Sequence, residues 1–275
     1  MMKKTKKTLW LLLLLLLPAL LRAEVYQWTD QQGCRHYSDR GHEQAKVLNI
    51  DSGIAYYEVE KVFDGDTILL SNGQKVRFLG INTPEVAGRN KSAEAGGEQA
   101  KAWLKDKLEH KKVFLQGDVE KQDKYQRSLA YVFTENKEHI NLELVKRGLA
   151  FVNIYPPSLK YVDALLAAQQ KAEQAKLGLW AYRDYAPLAF TALDETNYHG
   201  WKRLTGRIRA VKQTAKHGYL QFSDKVSISV EPTSSALFPD LETYVGKQVE
   251  VRGWIRRSKD HFFLLVRHPA DIVLR

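Results

Sequence analysis

Cysteine is all but missing from this chain of 275 residues. Cys34 is the only one, so no intramolecular disulfide can form in any redox compartment. It is expected to be a buried or half-buried packing residue. None of the 8 histidines stands at metal-ligand spacing from another, which argues against a zinc centre. No repeat links one part of the chain to another. A membrane-spanning run is also missing: the apolar stretch "TLWLLLLLLLPALL" holds about 14 residues, against the ~20 that a spanning helix needs.

What the first residues do contain is a basic "MMKKTKK", that apolar stretch, and a small residue at a plausible cut after Ala23. This is the pattern of a signal peptide, so residues 1–23 predict export with cleavage to a periplasmic or secreted location. An uncleaved inner-membrane anchor is the alternative. Cleavage removes Lys3, Lys4, Lys6, Lys7 and Arg22 and no acid, so the formal charge falls from +10 to +10 − 5 = +5. The mature chain is mildly basic, which is compatible with a polyanionic partner but common to many surfaces. With 44% hydrophobic residues it can build an ordinary core.

Residues 24–50 begin with aromatic and polar residues alternating about Gln32-Gly33, the pattern of a small hairpin module. From Tyr56 the expected order is a strand, a break at Asp64-Gly65-Asp66, the strand "TILL", a turn at Asn72-Gly73 and the strand "QKVRFLGI". The polar loop "VAGRNKSAEAGG" reads as unpacked. Next comes a helix with Ala100, Trp103, Leu104 and Leu108 at helical spacing, then two strands, "KVFLQGD" and "SLAYVF". The helix "INLELVKRGLA" and a longer one capped by Ser158 and running to Lys176 complete a block at residues 56–181. Residues 182–200 read as a linker. Residues 201–275 show successive strand signals with almost no helix, a small all-β domain similar to an oligonucleotide-binding (OB) fold. The fold class is therefore mainly β with helices, α+β.

Three pieces of the central block carry possible chemistry, and each alone has a plain structural reading. Asp64-Gly65-Asp66 is a common turn. In "VRFLGINTPE" Pro84 ends strand pairing between Arg77 and Glu85, which fixes a carboxylate or merely ends a strand. In "DKYQRSLAY" Lys124, Tyr125 and Arg127 suit a phosphate and an attached sugar or base, or form a solvated charged loop.

Taken in order, D-G-D-T, R-x-x-x-x-x-T-P-E and D-K-Y-x-R-x-L-A-Y strongly resemble the staphylococcal nuclease family. "GGEQA", "LVKRGLA" and "LGLW" extend the likeness over roughly residues 56–181. The resemblance implies a five-stranded OB barrel with packed helices. It also implies Ca²⁺-dependent hydrolysis of phosphodiesters in DNA and RNA that leaves 3′-phosphate ends. By matched position, Asp66 would be a Ca²⁺ carboxylate ligand, Thr83 would offer its carbonyl, and Asn82 stands where the family has a second aspartate. Glu85 would position or deprotonate the attacking water, Arg77 and Arg127 would bind the phosphate, and Lys124 and Tyr125 would contact a terminal phosphate.

The residue chemistry agrees, because Ca²⁺ takes oxygen ligands, guanidinium groups clamp two phosphate oxygens, and a carboxylate can serve as general base. Single-stranded nucleic acid is the expected partner; no protein partner is inferable.

The chain departs from the family pattern in places. Asn82 loses a ligand charge, Gln126 replaces a glycine, and the family tyrosine after "GLA" aligns with Ile154, one residue before Tyr155. Arg207, Arg209, Lys212, Trp254, Arg256, Arg257, Phe262 and Arg267 are candidates for strand binding on the last domain, or else its core and solvated arginines. Two other functions stay open: a catalytically weakened nucleic-acid-binding protein of the envelope, with Asn82 as the mark of decay, and an envelope adaptor.

Overall fold

Short alternating strands set the architecture. The computed structural model describes residues 25–48, 53–88, 92–214 and 217–275, so the expected signal peptide lies outside the described residues. Two compact units are present, divided near Ile54.

The first unit is a three-stranded antiparallel sheet of β1 (Val25–Thr29), β2 (Arg35–Ser38) and β3 (Lys46–Leu48) in the order β2-β1-β3. The hairpin read from sequence thus gains a third strand. Asp30 builds its turn by accepting from the Gln32 and Cys34 amides, both at 2.9 Å. Cys34 is exposed, which corrects the expectation of a packing role: a sheet this small has no interior at its turn.

In the second unit, β4 (Tyr56–Asp64), β5 (Thr67–Leu70), β6 (Lys75–Phe78), β8 (Lys112–Gln116) and β9 (Ser128–Thr134) close into a barrel ordered β4-β5-β6-β9-β8. All neighbours are antiparallel except β6 and β9, which run parallel. Ile68 and Leu70, and likewise Val76 and Phe78, are buried at period two, while Val59 and Val62 are buried three residues apart across a bulge in β4, with Val132 buried in the same core. The pair β7 (Ile81–Asn82) and β10 (Phe151–Val152) lies beside the barrel.

Helix α1 (Gly97–Leu108) buries Ala100, Leu104 and Leu108, the i, i+4, i+8 stripe that the sequence predicts. Each such Leu contributes about 1.5–3 kcal/mol by leaving water. Helix α2 (Ile140–Lys146) is pinned by its buried Asn141, whose amide donates to the Leu79 carbonyl and accepts from the Val132 amide. Helix α3 spans Val162–Gln174, starting later than expected. Ser158 does not cap it; its hydroxyl instead accepts from the Glu120 amide.

Residues 182–200 contain 3-10 turns and β11 (Pro187–Ala189), which pairs in parallel with β12 (Trp201–Arg207). The remaining strands are β13 (Ala210–Gln213), β14 (Gly218–Gln221), β15 (Val226–Val230), β16 (Gln248–Ser258), β17 (His261–Val266) and β18 (Ile272–Leu274). Their order, β12-β16-β17-β15-β14-β13, repeats that of the first barrel once β12 and β13 are taken as one strand broken at Ile208 and Arg209. At that break the Ile208 amide bonds Lys247 on one side and the Arg209 amide bonds Gln221 on the other. The parallel pair falls at the same place, between β15 and β17. This is a second OB-type strand order with its own buried core, reached without a sequence repeat.

An aromatic seam joins the two barrels. Phe151 stacks on Trp201 at 3.9 Å, with Trp180 and Tyr185 edge-on. Next to it Glu250, almost fully buried, accepts from Arg203, Arg252 and Arg275, while Glu173 of α3 pairs with Arg203 and Arg252. Because Phe151 also pairs through its backbone with Asn82, the second barrel buttresses the strand that carries "INTPE".

Candidate active site

Gly65 sits where no side chain fits. A Cβ there would lie 2.6 Å from Thr83 Cγ2 and 2.7 Å from Ala100 Cβ, so glycine lets the Asp64–Asp66 turn close onto the Thr83 segment and α1. Asp66 is thereby buried, with only 4% of its surface exposed. Its Oδ2 accepts from the Thr83 amide at 2.7 Å and the Thr83 hydroxyl at 3.1 Å, and its Oδ1 accepts from Thr67 Oγ1. Arg77 Nη1 pairs with the same Oδ1 at 3.0 Å. Burial, against the pull of Arg77 and the Thr83 donors and with the help of Asp64, leaves the Asp66 carboxyl raised to about 6.

Arg77 reaches further. Its Nη2 donates to Asn82 Oδ1 at 2.8 Å and its Nη1 to the Phe78 carbonyl at 3.0 Å. Asn82 Nδ2 then donates to the Thr83 carbonyl at 2.8 Å. Asp66, Arg77, Asn82 and Thr83 thus form one bonded cluster, and the Thr83 carbonyl faces an amide donor where the family pattern has a second carboxylate. The cluster contains three kinds of oxygen: a carboxylate, a side-chain amide and a backbone carbonyl. That donor set fits a hard divalent cation, which accepts such oxygens without histidine or cysteine. Among the described residues no three His, Cys, Asp or Glu side chains gather at a metal-binding distance.

Glu85 is half-buried and its backbone is clamped on both sides. Its amide donates to Glu94 Oε2 at 3.0 Å and its carbonyl accepts from the Glu94 amide at 2.9 Å. The first residue of α1 presses on the same carbonyl: a Cβ on Gly97 would collide with Glu85 O and lie 2.8 Å from Pro84 O. Glu94 lies in the loop expected to be unpacked, and its holding role carries no local sequence signal. "GGEQA", by contrast, reads afterwards as the close approach of helix and loop.

Arg127, Lys124 and Tyr125 occupy the loop between β8 and β9. The pairing of β6 with β9 brings that loop beside Arg77's strand, since Val76 pairs with Ser128. Asp123 organises the loop, its Oδ1 accepting from the Tyr125 and Arg127 amides and its Oδ2 from Arg127 Nε at 2.7 Å. Burial would raise the Asp123 carboxyl, but these bonds and the Arg127 charge outweigh it and hold it low. Tyr125 is 68% exposed, with Lys124 Nζ and the Arg127 guanidinium 5.0 and 5.5 Å from its ring centre. Gln126 takes φ +62°, a left-handed turn that glycine, its counterpart in the family pattern, adopts without strain.

Two groups of side chains therefore flank the barrel mouth. One is the Asp66–Arg77–Asn82–Thr83 cluster leading to Glu85; the other is the exposed cationic and aromatic loop. Asp66 stands on the connection between strands one and two and the Arg127 loop on that between strands four and five, the loops through which OB barrels take oligonucleotides, while Arg77 lies on strand three and Asn82, Thr83 and Glu85 follow it.

Fold and site together define an OB-barrel protein of the nuclease type. A family model for staphylococcal nuclease homologues matches residues 75–182, and a model for a domain of unknown function, DUF4124, matches residues 12–53. The thermonuclease of Staphylococcus intermedius is 39% identical over 127 residues, 45% of this chain and 75% of that protein. Endonuclease YncB of Bacillus subtilis is 33% identical over 165 residues, 58% of this chain and 73% of that one. The chain belongs to the staphylococcal nuclease family, which places it among the hydrolases that act on nucleic acid.

Proposed function

We propose that the protein is an exported nuclease that hydrolyses phosphodiester bonds of DNA and RNA with Ca²⁺ and leaves 3′-phosphate ends. The observation that carries this reading is the buried Asp66 carboxylate, joined to Arg77, Asn82 and Thr83 at the mouth of an OB barrel. Ca²⁺ held by Asp66, Asn82 and the Thr83 carbonyl would neutralise phosphate charge and favour ionisation of an attacking water. Arg77 and Arg127 bind the phosphate oxygens and the charge that grows on them. Glu85, its backbone fixed by Glu94 and Gly97, orients the water and takes its proton. Lys124 and Tyr125 hold a neighbouring phosphate and sugar. The signal-peptide pattern supports a periplasmic or secreted location, and among the described residues no helix is long and apolar enough to cross a membrane. We read residues 24–50, 56–181 and 201–275 as three modules, with 182–200 as the connection.

The hydrogen bond from Asn82 to the Thr83 carbonyl favours a second reading, a nucleic-acid binder with weakened catalysis. Purified residues 24–275 are expected to degrade single-stranded DNA with Ca²⁺ and to stop with chelator. Glu85→Gln should lower kcat by about 10²- to 10⁴-fold. Equal cutting by wild type and Glu85→Gln refutes the catalytic assignment. Salt-sensitive binding with no Ca²⁺-dependent product selects the second reading.

A further inference from the structure

The outer face of the second barrel is built unlike an ordinary solvated sheet. Along β17, His261, Phe263 and Leu265 are half-buried and alternate with the buried Phe262, Leu264 and Val266. Phe262 therefore belongs to the core, and its neighbour Phe263 faces out. Cross-strand register aligns Arg256, Phe263, the buried Ser227 and Gln221 in one row, and Leu265, Ser229, Tyr219 and Lys212 in the next. None of these eight residues is acidic, and a cation stands at each end, Lys212 on β13 and Arg256 on β16. The Ser227 hydroxyl and His261 Nε2 lie 2.9 Å apart, and the His261 ring is 4.3 Å from Phe263. The Phe263 and Tyr219 rings are separated by the half-buried Ser229 and by Ser227, which is buried and bonded to His261, so only low side chains lie between rings that can take flat bases, while the flanking cations suit the phosphates between them.

The same face runs to the nuclease barrel. Arg267, next outward after Leu265, places its guanidinium 4.3 Å from the ring of Tyr155. Tyr155 is 45% exposed and lies just beyond β10, the strand paired with Asn82. Leu265 and Arg267 share one small cleft with Asn153 and Ile154.

We propose that this outer face is a stacking platform for single-stranded nucleic acid, holding the stretch of substrate strand that runs off the active site past Tyr155 and Arg267. The proposal rests on the nuclease reading for the source of the strand and adds to it a second, non-catalytic binding surface. It predicts that the protein distinguishes long strands from short ones, because single OB folds cover about 4–16 nucleotides and a dinucleotide cannot reach the face.

The test uses wild type, the double variant Tyr219→Ala/Phe263→Ala, both half-buried on the outer face, and the charge reversal Lys212→Glu/Arg256→Glu at two exposed side chains; none of the four belongs to the buried core. Anisotropy of a labelled 16-nucleotide oligothymidylate is measured with chelator present across a salt series, and cleavage of the 16-mer and of thymidine dinucleotide is measured with Ca²⁺. Both variants should bind the 16-mer about tenfold or more weakly. The charge reversal should also flatten the salt dependence, and dinucleotide cleavage should stay unchanged. If both variants bind and cleave the 16-mer as wild type does, the platform is refuted. It is equally refuted if dinucleotide cleavage falls in step with 16-mer binding, since the effect then passes through the fold. A wild type that cuts nothing, with variants that still lose 16-mer binding, overturns the nuclease reading and upholds the platform.

Discussion

Replacing Asn82 by Asp tests the link between this site and its proposed metal most directly. The Asn82 side chain bridges Arg77 and the Thr83 carbonyl, each at 2.8 Å. Aspartate keeps the acceptor for Arg77 but removes the donor to the carbonyl, so a proposed ligand oxygen is released and a second negative charge is added in one step. Extracellular calcium modules bind at about 10⁻⁴ to 10⁻³ M, and affinity rises with ligand charge. An added carboxylate that tightens binding ten- to a hundredfold is worth about 1.4–2.7 kcal/mol.

Linkage turns that into a thermal signal. A site with Kd of about 1 mM gains about 0.4 kcal/mol from 1 mM Ca²⁺, and one ten- to a hundredfold tighter gains about 1.4 to 2.7 kcal/mol. The assay is thermal unfolding of wild type and Asn82→Asp with 1 mM Ca²⁺ and with chelator, backed by calorimetric titration. The rise on adding Ca²⁺ should be several times larger in the variant. If it is the same or smaller, then position 82 does not face the ion and the proposed ligand set is wrong.

Other expectations follow from packing and charge. Gly97→Ala should push the Pro84-Glu85 segment aside, costing about 1–3 kcal/mol in unfolding free energy and more in kcat than in KM. Gln126→Gly should relieve the left-handed strain at φ +62° and change denaturant stability by about 1 kcal/mol or less, upward. Glu250 tests the network behind the site. Burial pushes its carboxyl up, but the bonds and charges from Arg203, Arg252 and Arg275 prevail and hold it down at about 2. Its folded value lies below its unfolded one, so its contribution is full above about pH 4.5 and lost as pH falls toward 2. Glu250→Gln should therefore unfold about 3 kcal/mol more easily at pH 7, with the gap closing through that acid range in a pH series of denaturant melts.

Part of this molecule could be read without coordinates. Asp64-Gly65-Asp66, the stop at Pro84 and the i, i+4 stripe of α1 are local signals, because turns, strand ends and helix faces depend on residues a few positions apart. The family resemblance likewise came from the order of short motifs. Partners distant in sequence were not legible. Glu94 as the clamp on Glu85, Asn141 as the tie between α2 and the barrel, and Asp123 as the organiser of the Arg127 loop look like any polar residue of a loop or helix end. Their importance lies in which unpaired amide or carbonyl they meet after folding.

The run "HFFLLV" shows the same division. The sequence marks it as a strand candidate, a short apolar run bounded by polar residues. Which phenylalanine faces the core is a matter of one residue of register, and a run apolar on both sides does not encode it. Only the pairing of β17 with β15 and β16 turned Phe262 inward and Phe263 outward. The OB-like character of residues 201–275 was expected from the succession of strands; what only the tertiary structure decided is the pairing itself, including the break at Ile208 and Arg209 that lets β12 and β13 serve as one strand, because the order of neighbours is fixed by burial over the whole chain.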